Sequence, residues 1–117
     1  MNSFRNSVQL MGRAGQDPEV KTFDADRRMA RFSLATDEYY TNAKGEKVTE
    51  TYWHNVVAWG KMAEKVEELV AKGTELLVEG KLCSRSYVDK SGVKKYMTEV
   101  DIREVVAISR KPQATNA

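Results

Sequence analysis

The sequence predicts an all-β domain, a small five-stranded barrel with one helix between its third and fourth strands. Three observations point to it. Apolar residues alternate at period two in five separate segments. A single segment, after Gly60, switches to the helical period. Two glycines, Gly12 and Gly80, stand inside alternating segments, where a small barrel must coil sharply.

Residues 6–13 make the first strand, with Val8 and Leu10 on one face. "AGQDP" (14–18) is turn chemistry, since Gly frees the backbone and Asp-Pro disfavours pairing. "EVKTF" is a short extended piece and "DADRR" a tight connection. The second strand covers 29–36, with Ala30, Phe32, Leu34 and Thr36 on one side. Residues 41–50 form a polar loop around Gly45, and "TYWHNVVAW" (51–59) is the third strand. Met62, Ala63, Val66, Leu69 and Val70 then fall on one stripe of a helix that Gly60 starts and Gly73 ends. Residues 75–88 return to period two, "DKSG" (89–92) turns a hairpin, and a last strand runs over 95–108. Five strands in this order, with the helix after the third, suit the Greek-key barrel of the OB-fold. Periodicity leaves one alternative open, an α+β sheet with the helix across one face.

The 117 residues suit one domain, 1–109, followed by a polar tail, 110–117. The longest apolar runs, 56–59 and 105–108, are four residues. A membrane span needs about 20, so no membrane association is expected. A single cysteine, Cys83, excludes an intrachain disulfide and fits a reducing, cytoplasmic location. One histidine, one cysteine and no phosphate-loop, nucleophile-elbow or metal-ligand spacing argue against an enzyme, a metal site or a cofactor.

The net charge of +2 is small, but its distribution is uneven. Residues 81–95 hold five basic residues (Lys81, Arg85, Lys90, Lys94, Lys95) against Asp89, a net of +4. On the third strand Trp53, Asn55, Val57 and Trp59 share one face, and Tyr52, His54, Val56 and Ala58 the other. Two indoles and an amide would crowd a narrow barrel interior. Yet aromatic residues on a strand more often belong to the core. Residue pattern alone therefore leaves two readings open: a core face, or an outward stacking platform beside a basic hairpin, with Tyr52, Val56 and Ala58 packing inside more easily. Such a platform suits unpaired bases, because every base has a flat π-face and basic side chains can follow the phosphates. Lys61, Lys81, Arg85, Lys94 and Lys95 are the candidate phosphate contacts. Duplex reading is disfavoured, because the helix is acidic rather than basic.

"GQDPEV" (15–20), "FSLAT" (32–36), "WHNVVAWGKMAE" (53–64), "KGTELLVEGKL" (72–82) and "YMTEVDI" (96–102) resemble the bacterial single-stranded DNA-binding protein family in order and spacing. The resemblance covers about 4–110. It implies an OB-fold homotetramer that coats single-stranded DNA in replication, recombination and repair, in the cytoplasm and at the nucleoid. On it, Trp53 and Trp59 match the stacking aromatics of the central strand, Tyr40 the aromatic ending the strand before, and Tyr87 the one on the long hairpin. Asn55 stands where many relatives carry a basic residue. His54 matches a histidine near a subunit contact. Relatives continue into a flexible segment with an acidic, hydrophobic tip that recruits replication and repair proteins, whereas this sequence ends at "RKPQATNA". From a different class, the same aromatics would serve an OB-fold protein-interaction module, such as a primosome component, as interface anchors.

Overall fold

The structure, a computed structural model, describes residues 5–24 and 27–109. The elements are β1 (Val8–Ala14), β2 (Glu19–Asp24), β3 (Arg27–Thr41), β4 (Lys47–Trp59), α1 (Lys61–Leu69), β5 (Glu75–Val88) and β6 (Lys94–Ala107). The predicted tail, 110–117, lies outside the described residues.

Five strands close a ring. β1 pairs with β5, β5 with β6, β6 with β4 and β4 with β3, and β3 returns to β1 through Arg13↔Ala35 and Ala14↔Leu34. The β4–β6 pair is parallel and the others are antiparallel, so the barrel is mixed. The helix falls between the third and fourth ring strands, as the OB-fold reading requires, and the open α+β sheet is excluded. Alternation puts Phe32, Leu34, Val56, Ala58, Leu76, Val78, Val100 and Ile102 into one core, joined by Ala63, Val66 and Val70 of the helix side.

Two glycines make this closure possible. A Cβ on Gly12 would lie 2.0 Å from the Ala35 carbonyl oxygen, where β1 crosses to β3. One on Gly80 would lie 2.1 Å from the Asp101 carbonyl oxygen, beside the register shift that lets β5 bend along β6.

Four details differ from the sequence reading. "EVKTF" belongs to a sixth strand, β2, outside the ring, which extends the β3 edge that β1 also occupies. The 41–50 loop is only 42–46, because β3 and β4 stay paired as far as Thr41↔Lys47. That end of the hairpin is largely exposed and carries no apolar alternation to read. Asn42 Oδ1 tightens its turn by accepting from the backbone amides of Lys44 and Glu46. Gly60 does begin the helix, at φ 60°, but the helix stops at Leu69, ahead of Gly73. Val70 turns extended there and places its side chain in the core. Finally, Tyr52 is not inside the barrel: it is exposed and donates its hydroxyl to Glu50.

Candidate nucleic-acid interface

The tryptophan face of β4 is outside the barrel, and its two indoles sit in different surroundings. About 20 Å of strand separates them, at ~3.3 Å per residue. Trp53 is 63% exposed and rests against Gly15, whose missing Cβ would lie 2.4 Å from the ring. The same indole walls an open cavity of about 360 Å³ that Arg13 and Lys72 also line. Arg13 is held there by Asp37 at 3.0 Å, and Asp37 also accepts from the Thr51 hydroxyl. This is a flat apolar wall with cations at its rim, open to solvent.

Trp59 is half-buried. Phe23 of β2 stacks on it at 6.0 Å between centroids and 24° between planes. The Arg85 guanidinium of β5 lies 5.6 Å from the same ring. β2 and β5 lie on opposite sides of β4 in the strand order, so Phe23 and Arg85 reach the ring from different strands. Arg27 lies over Phe23 at 5.6 Å and extends the alternation of cation and ring. Between the two tryptophans, Asn55 is exposed, while Val57 is fully buried.

The hairpin of β5 and β6 carries Tyr87, 46% exposed, opposite Lys95. Alternation puts Lys81 and Arg85 on the same face of β5 as Tyr87. Lys95 is paired to Asp89 at 3.3 Å, and Lys94 lies 5.7 Å from the Tyr96 ring. Asp89 also caps the turn, accepting from the amides of Val93 and Ser91, and the Val93 bond, followed by Lys95 and the Ser91 bond, holds its carboxyl below the usual range. Lys61 is exposed at the start of α1, one residue past Gly60.

On the β3–β4 hairpin Tyr40 is exposed and donates to Glu50 at 3.0 Å, while Tyr52 donates to the other oxygen at 2.5 Å. The two hydrogen bonds, that from Tyr52 the stronger, hold the Glu50 carboxyl below its ordinary value. Reciprocally, the bond to Glu50 and then its charge push the Tyr52 phenol up to about 12. The Tyr40 phenol is raised by its own bond to Glu50, then by loss of hydration and by the Glu50 charge. Tyr40 therefore offers a ring next to a carboxylate, a less welcoming setting for a phosphate than that of Tyr87. His54 is half-buried, with Nε2 2.9 Å from the Thr36 hydroxyl.

The predicted residues thus occupy three stations: Trp53 with its cavity, Trp59 with Arg85, and the basic hairpin with Tyr87, while Tyr40 stands on a hairpin of its own. Three participants escaped the sequence reading. Phe23 was legible only as the aromatic of "EVKTF". Arg31 and Glu99 alternate outward on β3 and β6, but their meeting depends on how those strands are placed. Among the described residues no cluster of His, Cys, Asp or Glu could hold a metal ion. No described helix is long and apolar enough to cross a membrane.

Residues 5–108 match the Single-strand binding protein family. A single-stranded DNA-binding protein of Bacteroides thetaiotaomicron is 46% identical over 114 residues, covering 96% of this chain and 71% of that protein. Single-stranded DNA-binding protein 1 of Chlorobaculum tepidum is 36% identical over 107 residues, covering 91% of this chain and 66% of its own length. Among solved structures, the Plasmodium falciparum SSB in complex with ssDNA superposes with a TM-score of 0.79 at 26% identity, over 93% of this chain and all of that one.

Proposed function

The chain belongs to the single-strand binding protein family, a non-enzymatic DNA-binding family, and from that premise we propose how it holds its strand. It coats single-stranded DNA without regard to sequence: bases stack on Trp53, Trp59, Tyr87 and Tyr40, and Lys61, Lys81, Arg85, Lys94 and Lys95 follow the phosphates. The observation that carries this reading is Trp53, a large ring left mostly in solvent on a small barrel and backed by a glycine. Its setting is the cytoplasm, in replication, recombination and repair.

Salt tests the phosphate part. Affinity for oligo-dT should fall as salt rises, with a log–log slope of about −0.7 per phosphate neutralised on a single strand. Lys94→Ala combined with Lys95→Ala should flatten that slope by at most about 1.4, the value for two lost phosphates. Partnership with Asp89 and Tyr96 takes part of each charge, so the change falls below that ceiling. An unchanged slope would show that these lysines only solvate the hairpin. Absence of any tryptophan quenching by oligo-dT would favour the protein-interaction module instead.

The working unit we propose is a homotetramer. Four rings at ~1–3 kcal/mol each supply about 4–12 kcal/mol gross. Association and ordering cost an estimated ~4–15 kcal/mol. Linked sites make the later contacts intramolecular, and symmetric assembly provides them. The surface supports it: Met11, Leu77 and Val106 are exposed and lie in register across β1, β5 and β6, a continuous apolar row on the outer face. We propose that His54 lies near a subunit contact; one of its ring nitrogens is within hydrogen-bond distance of Thr36 in its own protomer. Light scattering at micromolar concentration should give four times the 13.3 kDa chain mass, and Leu77→Glu should lower it. A monomer that still binds oligo-dT tightly would defeat this proposal.

A further inference from the structure

Beneath the Trp59 station lies a carboxylate that the binding reading does not use. Glu99, on β6, is 1% exposed. Its Oε1 accepts from Nε of Arg85 at 2.7 Å. Its Oε2 lies 2.8 Å from Nη2 of Arg31, off the hydrogen-bonding direction, so that contact is ionic. Both arginine side chains are partly exposed, 48% for Arg85 and 37% for Arg31, so the carboxylate is sealed while the side chains of its partners reach solvent. Removing a carboxylate from water is costly, and an apolar residue of similar volume would fill the space without that cost. A buried negative charge in a face that meets phosphates therefore calls for a reason.

Geometry supplies one. The same Arg85 whose Nε is held by Glu99 has its guanidinium 5.6 Å from the Trp59 ring centroid, and Trp59 in turn carries Phe23. A guanidinium has five donors, so one bond at Nε leaves others for a phosphate. We infer that Glu99 is a positioning residue for single-strand binding: it anchors Arg85 against Trp59 and partly neutralises Arg31 and Arg85, so that this station binds through an ordered ring-and-cation stack rather than through loose charge. The inference rests on the binding reading above and names a residue that acts through its two arginines without touching DNA.

The role predicts two changes of opposite sign on its removal. Glu99→Gln keeps the volume and deletes the charge, and Glu99→Leu deletes the acceptor as well. With either, an arginine released to the strand neutralises one more phosphate, and the salt slope steepens by about 0.7. At high salt, where ordered stacking dominates, affinity falls roughly 2- to 5-fold, the equivalent of an exposed cation–π contact. Arg85→Lys keeps the charge but not the flat, forked group. It should lose the same high-salt affinity without steepening the slope. The measurement is tryptophan quenching by oligo-dT across a salt series, with melting curves to give affinity per folded molecule. Glu99 variants that keep the wild-type slope, with affinity falling only as the folded fraction falls, overturn the positioning role alone. Wild-type protein that does not bind oligo-dT overturns the reading on which it rests.

Discussion

Gly12→Ala and Gly80→Ala should each lower the melting temperature by roughly 10–20 °C, in a protein with no ligand bound. The added Cβ would meet a backbone carbonyl at 2.0 or 2.1 Å, far inside contact distance, and backbone cannot step aside as a flexible side chain can. Overpacking of this kind costs about 3 kcal/mol or more when it forces the main chain to move. In both cases the displaced chain belongs to the ring: Ala35 is the β3 partner of Arg13 at the closing pair, and Asp101 is where β6 lies between β4 and β5. The damage is therefore to closure, and it should lower cooperativity along with stability. Thermal melts followed by far-ultraviolet circular dichroism check this. A shift of only a degree or two in both variants would mean that the ring tolerates local opening at these crossings.

Trp53→Ala should weaken oligo-dT binding about 5- to 150-fold, from ~1–3 kcal/mol for one stacked base, while leaving the melt nearly unchanged. The ring is 63% exposed, so truncation empties no core site and avoids the ~3–5 kcal/mol of a buried aromatic. Trp59→Ala should behave differently. Its ring is half-buried between Phe23 and Arg85, so its loss should lower stability and affinity together. Gly15→Ala is the independent check, because a methyl there must push the Trp53 indole away from its seat. It should reduce affinity without removing any contacting group. Severe destabilisation by Trp53→Ala, with affinity per folded molecule unchanged, would overturn the platform role.

The contrast between the two tryptophans shows what pattern alone can deliver. Alternation along "TYWHNVVAW" correctly puts both indoles on one face, because side-chain direction in a strand follows from local backbone geometry. That this face lies outside the barrel, with Val57 on it fully buried, follows only from strand placement. The same local logic yields the five ring strands, the helix stripe of Ala63, Val66 and Val70, and the need for small residues at 12 and 80. Resemblance of motifs in order and spacing then supplies the family. How far a ring protrudes, and what leans against it, is not local. Tyr52 alternates with core residues yet stands clear of the core, because β4 outruns the barrel and only strand placement sets where the rim lies. Trp59 loses part of its exposure to Phe23 of a strand outside the ring and to Arg85 across the sheet. Glu99 reads as one more outward polar residue of β6, and only the arrival of Arg31 from β3 and Arg85 from β5 buries it. Sequence by itself determined the five ring strands, the helix, which side chains share a face, and the family, since each depends on neighbours in the chain. The surroundings of the stacking rings and the burial of a charge were decided by tertiary structure, because they depend on residues that meet only once the barrel has closed.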